Sequence, residues 1–341
     1  MESIAHPLVS IISEKLIKPS SPTCPTKRWH KLSLIDQAFS NSYIPFSLFY
    51  TKDAISKNNT QISQLLEESL SKILSIYYPY AGRLKDNTTV DCNDAGAEFV
   101  QVRIDCLISE TFNWHNTAIE DLLFPQGLPW SNCTTGGLVV VNTVAAESEV
   151  QNPTRTEVVS ALIFKCAVRA AKAKSGIFQP SSMVQAVDLR AQVGLPPNAI
   201  GNLLTICPTS ITNNEESMTI SKLVSEMRKS KELVYKRDNI NDNMFVALLL
   251  ELAKSKQEYH DNGPNAYQIT SLVKFALHEI DFGWGKPTKV SIANGLNNKL
   301  AILMGNQSGG LDAFVTLTEH DMSVFERDTE LLEFASIVPS C

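Results

Sequence analysis

Short apolar runs alternate with segments of helical spacing along the whole chain, and this mixture restricts the fold more than any other feature. From Gln61 to Leu74 apolar residues recur every three or four positions, which predicts an amphipathic helix that Pro79 ends. Most other apolar runs are short and are typical of buried strands. Strands mixed with helices in both halves predict an α/β protein of two domains.

The helices and strands can be placed approximately from these patterns. Thr154 and Glu157 have the spacing of a capping box, so we expect a helix to begin there and to continue as the apolar run 158–171. The segment 305–309 is predicted as a hairpin turn, because its serine stands one place too late for a nucleophile elbow. Further helices are predicted at 220–235 and 244–256, and strands at 8–17, 31–36, 43–50, 88–91, 97–104, 137–141, 183–188, 275–282, 289–293, 300–304 and 313–318.

Composition excludes several classes of function. A net charge of −6 and a pI near 5.6 give no electrostatic footprint for a nucleic acid or an anionic membrane. The start of the chain lacks the pattern of a signal peptide, and no apolar run is long enough to span a bilayer. The seven cysteines form neither a CxxC pair nor a metal-ligand pattern, which is typical of reduced thiols. We therefore expect a cytoplasmic protein without a metal site.

Several short motifs occur in a characteristic order. Leu32-Ser-Leu-Ile-Asp-Gln37 is followed by Tyr78-Pro-Tyr-Ala-Gly-Arg83, in which Gly82 is expected in a tight turn. The second half carries Gln185-Ala-Val-Asp-Leu-Arg190, Pro197-Asn-Ala-Ile-Gly-Asn202 and Asp281-Phe-Gly-Trp-Gly-Lys-Pro287. Together these motifs resemble the plant BAHD acyltransferases, and the last is a strong family marker. Within that family the chain looks similar to the vinorine synthase and capsaicin synthase branch.

The resemblance implies a chloramphenicol-acetyltransferase-like fold of two domains, which we place at 1–150 and 151–341, with a channel between them. It implies an enzyme that transfers an acyl group from acyl-CoA, a co-substrate, to an alcohol or amine acceptor, without a tightly bound cofactor. Family members are usually monomers. The general base of the family is the histidine of an HxxxD motif, and histidine suits this role because its ordinary pKa lies near neutrality.

No HxxxD motif occurs in this chain. It has six histidines, and none is followed by an aspartate four residues later. The nearest imitation, His278-Glu-Ile-Asp281, is one residue too short, and on the predicted strand 275–282 the two side chains would point to opposite faces. A strand residue is therefore the favoured interpretation of His278, ahead of a replacement base.

The position of the missing motif follows from the resemblance. The strand 137–141 is similar to the family strand that leads towards HxxxD, and 143–153 is similar to the segment before the helix of the next domain. Relatives separate these two stretches by something on the order of a hundred residues, enough for several elements of a domain. Here they meet at 141–143, so the N-terminal domain is expected to be incomplete.

Four further residues are candidate site residues. The helix start at Thr154, Arg155 and Thr156 is a candidate CoA phosphate site, because free N–H groups and the helix dipole attract anions, although a plain capped helix is equally compatible with the pattern. Arg190 matches the family arginine that pairs with the HxxxD aspartate. Without that partner it would be an unpaired buried charge, unless Asp188 can reach it.

The DFGWG segment is interpreted as structural. Its glycines allow a tight backbone path around a packed indole ring. Asp281 is kept as a candidate second catalytic position, because some descriptions of the family treat it so. The five residues concerned are Asp281, Phe282, Gly283, Trp284 and Gly285.

Two functional hypotheses remain open. In the first, the chain belongs to an acyltransferase lineage and is itself an inactive, poorly soluble product of splicing, truncation or an imperfect gene model. In the second, it is a non-catalytic pseudo-enzyme that retains a ligand channel or a partner surface. A cysteine-based transferase is a distant third, since no cysteine has a base beside it in the sequence.

Overall fold

The computed structural model describes residues 9–38, 46–50, 57–104, 136–141, 154–211, 218–235, 265–292 and 299–338. Within these ranges the strands are β1 Val9–Ile17, β2 Trp29–Lys31, β3 Phe46–Phe49, β4 Arg83–Asp86, β5 Thr89–Asp91, β6 Ala97–Ile104, β7 Gly136–Val141, β8 Ser181–Asp188, β9 Leu204–Ile211, β10 Ala266–Ser271, β11 Lys289–Ile292, β12 Leu300–Gly305, β13 Leu311–Thr316 and β14 Ala335–Val338. The helices are α1 Leu34–Ala38, α2 Asn59–Ile76, α3 Arg155–Ser175, α4 Ile220–Tyr235, α5 Glu319–Phe325 and α6 Thr329–Phe334.

The largest sheet in the described part of the chain is mixed and has seven strands, in the order β14-β7-β13-β12-β10-β8-β9. Strand β10 is parallel to β8 and β12, and the other neighbours are antiparallel. Helix α3 is apolar around most of its circumference and is buried with α4 and α5 in the main core. There the ring of Phe164 meets that of Tyr267 edge to face, with centroids 5.5 Å apart.

The other described strands form three smaller sheets: β1–β6, β2-β5-β4 and β3–β11. Helix α2 packs on β1–β6 through a cluster that includes Ile17 and Leu74, and a capping box of Asn58 and Gln61 fixes its start. Gly82 has an extended backbone rather than a left-handed turn. It is required for a different reason, because a Cβ there would lie 2.5 Å from the carbonyl oxygen of Asp91.

Most predicted elements are confirmed. The bounds of 97–104 and 220–235 match β6 and α4, and the helix over 158–171 is confirmed inside α3. The hairpin turn is confirmed between β12 and β13. The helix predicted at 244–256 and the junction at 141–143 beyond Val141 lie outside the described residues.

Two strand predictions were wrong in part or in full. In 31–36 only Lys31 is in a strand, because Ser33 and Asp36 cap each other's backbone N–H groups and start helix α1. In 275–282 two 3-10 turns replace the strand, and Ala276 between them has a left-handed backbone with φ of 45°. Strands β2, β4, β9, β10 and β14 were not predicted.

Sheet pairing joins the two halves of the sequence. Strand β7 lies between β13 and β14, and β3 pairs with β11. The division into domains at 1–150 and 151–341 stays a prediction. None of the helices that the structure describes is both long and apolar enough to cross a membrane.

Candidate functional site

The DFGWG segment forms a closed loop around one carboxylate oxygen. Oδ1 of Asp281 accepts hydrogen bonds from the backbone N–H groups of Gly283 at 2.7 Å, Trp284 at 3.1 Å and Gly285 at 2.9 Å. Both glycines have positive φ angles, 93° and 100°, which side chains other than glycine rarely adopt. These are the hydrogen bonds that the structural interpretation of Asp281 requires.

Asp281 is held as a carboxylate by this loop. The N–H donors of Gly283 and Gly285 hold its pKa below the usual range, because they stabilise the charged form. A general base needs a pKa near the operating pH. The arrangement therefore stabilises a turn rather than preparing a proton acceptor.

Residues from the first half of the chain hold the loop in place. Trp284 is buried, and its ring lies 6.0 Å from that of Tyr50 and 5.5 Å from that of Phe282. The hydroxyl of Tyr50 donates to the carbonyl oxygen of Ile280 at 3.0 Å, and Nζ of Lys57 donates to that of Gly283 at 2.7 Å. Burial raises the pKa of Tyr50, so it stays a neutral donor.

The start of α3 is fully built as a capping box. Oγ1 of Thr154 accepts from the N–H of Glu157, and the Glu157 carboxylate accepts from the N–H of Thr154 at 2.8 Å. Glu157 is buried and also accepts two hydrogen bonds from Arg228 of α4, at 3.0 and 2.9 Å. A carboxylate thus already lies at this helix terminus, and Arg228 compensates its charge.

The three candidate CoA residues differ in exposure. Thr154 and Arg155 are exposed and Thr156 is half-buried. Nη1 of Arg155 donates to the carbonyl oxygen of Gly309 in the β12–β13 turn. The same turn reaches the family marker, since Nε2 of Gln307 donates to the carbonyl oxygen of Pro287 at 2.6 Å. One hairpin therefore connects the α3 terminus with the DFGWGKP segment.

Arg190 has partners without the family aspartate, and Asp188, the alternative partner that the sequence left open, is one of them. Nη1 donates to Oδ1 of Asp188 at 3.0 Å, and Nη2 donates to the carbonyl oxygens of Ala199 at 3.0 Å and Gly201 at 2.6 Å. The chain turns directly after β8, so Asp188 can fold back to the guanidinium. The side chain of Arg190 is 21% exposed, and its charge is neutralised locally.

The loop beside Arg190 contacts a residue that the sequence did not single out. Oδ1 of Asp36 accepts from the N–H of Asn202 at 2.6 Å, while its Oδ2 accepts from Ser33. A Cβ on Gly201 would lie 3.4 Å from the Asp36 carboxylate. The available signal was the capping spacing of Ser33 and Asp36, which predicts a local cap but no distant contact.

His278 lies in a half-buried 3-10 turn and not on a strand. Within the described residues neither ring nitrogen has a hydrogen-bond partner. Asp281 is turned towards its own loop, so the two residues do not form a base and its orienting carboxylate. Histidines 6, 115 and 260 lie outside the described residues.

Cysteine and metal chemistry have little support among the described residues. Burial raises the pKa of the Cys166 thiol to about 12, and Cys92 is also buried. Cys24 is exposed and its pKa is lowered, but its hydrogen-bond partner is Thr26, which is not a base. In the part of the chain that the structure covers, no three His, Cys, Asp or Glu side chains are grouped to hold a metal ion.

Comparison with known proteins identifies the family. The profile of the Transferase family matches residues 8–132 and 130–332. The chain belongs to the Transferase family, the BAHD acyltransferases. Members of this family serve plant specialised metabolism and use acyl-CoA.

Two curated BAHD relatives align over nearly their whole length. Acyltransferase Pun1 of Capsicum frutescens is 36% identical over 438 positions, with 96% of this chain and 98% of the relative covered. Acylsugar acyltransferase 3 of Solanum lycopersicum is 33% identical over 431 positions, with the same coverage. The crystal structure of vinorine synthase matches with a TM-score of 0.77 and 24% identity, over 96% of this chain and 98% of that one, which confirms the BAHD fold.

The alignment with Pun1 is longer than the chain itself. Its 438 positions draw on 96% of 341 residues, so roughly 110 positions have no residue of this chain opposite them. The two profile segments meet at 130–132, about ten residues before the junction expected at 141–143. The chain is thus shorter than Pun1, and the positions that it lacks lie inside the aligned region.

Proposed function

We propose that this chain is an incomplete BAHD acyltransferase whose own reaction centre is missing. The complete form transfers an acyl group from acyl-CoA to an alcohol or amine of a small metabolite, and it is a cytoplasmic monomer. The observation that carries the proposal is the family match along the whole chain, together with six histidines of which none is in an HxxxD motif.

The chain by itself is expected to be inactive for a chemical reason. The acceptor O–H or N–H must lose a proton as it attacks the thioester carbonyl, and a positioned general base contributes about 10² to 10⁴ in rate. Within the described residues Asp281 is bound by three amide groups and His278 has no carboxylate to orient it. Neither replaces the missing base.

The decisive assay compares this chain with a version in which the internal segment is restored from its own locus. Acyl transfer from acetyl-CoA and longer acyl-CoAs to a panel of alcohols and amines is followed by mass spectrometry of the products. We expect turnover only in the restored version, and loss of turnover when the histidine of its HxxxD motif is replaced by alanine. Equal acyl transfer by the short chain would contradict the proposal.

A CoA site at the start of α3 is proposed as a remnant of the co-substrate site. Arg155 is exposed and lies beside the N–H groups of the first helical turn, which favour phosphate. To bind phosphate, the Arg155 guanidinium must either leave the carbonyl oxygen of Gly309 or donate to both acceptors.

Calorimetric titration with CoA tests this site. Arg155→Ala should weaken CoA binding. Lys174→Ala, which removes one positive charge at the far end of the same helix, should not. Equal CoA binding by the wild type and both variants rejects the assignment.

A second candidate function, a non-catalytic pseudo-enzyme, is favoured by one observation. The motif loops at 199–202 and 281–285 form hydrogen bonds although the chain has no HxxxD motif. The first proposal also expects CoA binding without turnover, but in a poorly soluble chain. A soluble, monomeric and cooperatively folded chain that binds CoA without turnover would therefore favour this alternative.

A further inference from the structure

Among the residues that the structure describes, the small sheet β1–β6 is covered on one face only. Helix α2 lies on the side of Ser13, Lys15 and Ile17, where Lys15 forms an ion pair with Glu67 at 2.8 Å and Ser63 donates to Gln101. Side chains alternate along a strand, so the intervening residues point away from α2. This outer face consists of Ile11, Leu16, Val100 and Val102, together with Glu14 and Glu98.

The register confirms that these residues share one face. Ile11 is opposite Val102, Glu14 opposite Val100 and Leu16 opposite Glu98, and these pairs alternate with the pairs that face α2. The four apolar side chains are 61%, 54%, 45% and 42% exposed, in the order Ile11, Leu16, Val100, Val102. Ile12, at a bulge in β1, is 58% exposed as well.

Such a surface is unfavourable in water. An isolated two-stranded sheet is marginally stable, and among the described residues β1 and β6 pair only with each other. Adjacent exposed apolar side chains and unpaired strand edges are typical of a surface that another polypeptide covers. Within the described ranges, therefore, no element covers the outer face.

The sequence comparison indicates what the cover is. Roughly 110 positions of the Pun1 alignment have no counterpart here, and the family profile breaks at 130–132, between the end of β6 and the start of α3. A second copy of the chain fits less well, because Glu14 and Glu98 would place like charges together in a face-to-face pair. A partner with apolar and basic side chains would complement the apolar and acidic side chains of the outer face.

We propose that the outer face of β1–β6 is an open docking surface for the internal family segment that this chain lacks, and that it accepts this segment in trans. The proposal rests on the proposed function in one respect, the absence of an internal segment. It does not depend on which residue is the general base.

Thiol labelling at a single position tests the proposal. Val100→Cys introduces a thiol on the outer face, and its reaction with a maleimide is quantified at residue 100 by peptide mass spectrometry, so the native cysteines do not interfere. The chain is labelled alone and with the missing segment added as a separate polypeptide. Ile177→Cys is the matched control, because Ile177 is 69% exposed in the loop after α3. Circular dichroism checks that both variants are folded.

We expect the added segment to slow labelling at residue 100 by about tenfold at a concentration well above its Kd, and to leave residue 177 unchanged. Equal labelling with and without the segment overturns the proposal. Protection of residue 100 from labelling that rises with the concentration of the chain alone would also overturn the proposal, because it would indicate that a second copy covers the face. Acyl transfer by the short chain would contradict the proposed function and would leave the labelling result unaffected, so the two failures can be told apart.

Discussion

At the residue scale the Asp281 carboxylate organises its loop through three amide donors. Its pKa in the folded state is lowered, so the folded chain binds fewer protons than the unfolded chain just below the ordinary value of about 4. The stabilisation is present above that pH and is lost as the pH falls through the folded pKa. We expect wild type to be more stable than Asp281→Asn at pH 7, with the difference narrowing below about pH 4. Thermal unfolding of both proteins over this pH range measures the difference in stability. A difference that does not depend on pH would contradict the prediction.

Arg190 offers a second test at this scale, because its planar guanidinium contacts two carbonyl oxygens and a carboxylate at once. Lysine keeps the charge but cannot reproduce that geometry. Arg190→Lys is expected to lower the free energy of unfolding by about 1–3 kcal/mol. Arg327→Lys, the same change at an exposed position, serves as the control in urea unfolding. Equal stability of the two variants would mean that the Arg190 contacts contribute little.

At the element scale the cap of α3 is the feature that local sequence determined best. The Thr154 hydroxyl oxygen accepts from the Glu157 N–H, and the Glu157 carboxylate accepts from the Thr154 N–H. Thr154→Ala should cost about 1 kcal/mol of stability, whereas Thr154→Ser, which keeps the hydroxyl, should cost much less. The midpoint of urea unfolding distinguishes them. A Thr154→Ala midpoint no lower than that of Thr154→Ser would show that α3 is stabilised by packing alone.

Local patterns predicted elements whose cause is local and failed where the cause is distant. Helices α2 and α4 follow from apolar spacing, and α3 follows from its cap and apolar run. The segment 275–282 is apolar enough for a strand, but it turns at Ala276 and is then held by Tyr50, more than two hundred residues earlier in the chain. Nothing in the sequence near Ile280 encodes that partner.

In the candidate site, too, local features were predicted and contacts with distant residues were not. The DFGWG segment was correctly expected to contain tight turns and a buried Trp284. Asp188 was named as a possible partner of Arg190. The two carbonyl partners, those of Ala199 and Gly201, were not predicted, because every residue carries a backbone carbonyl oxygen. The contact of Asp36 with Asn202 was missed for a related reason, since the carboxylate has a sufficient local role as a helix cap.

At the scale of the whole molecule, strand pairing joins the two halves of the sequence. Strand β7 lies inside the large sheet between β13 and β14, and β3 of the first half pairs with β11 of the second. A fragment of residues 151–341 would lose β7, the strand between β13 and β14, and would leave unpaired those backbone groups of β13 and β14 that bond to β7, while β13 would keep its partner β12. Buried unpaired backbone groups are costly, so the fragment should not reach a stable monomeric fold.

Two fragments, which differ in residues 136–150 and so in the presence of β7, test this expectation. We expect 151–341 to form aggregates or to unfold without a cooperative transition. The fragment 136–341 retains β7, so we expect it to unfold cooperatively, at a higher temperature than that at which 151–341 loses its structure. Circular dichroism with heating and sedimentation velocity provide the two measurements. Co-expression of 1–150 with 151–341 should rescue the shorter fragment, because it supplies both β7 and β3. If 151–341 alone proves monomeric and cooperative, the division at residue 150 separates independent folding units, and the pairing of β7 contributes little to the stability of the large sheet.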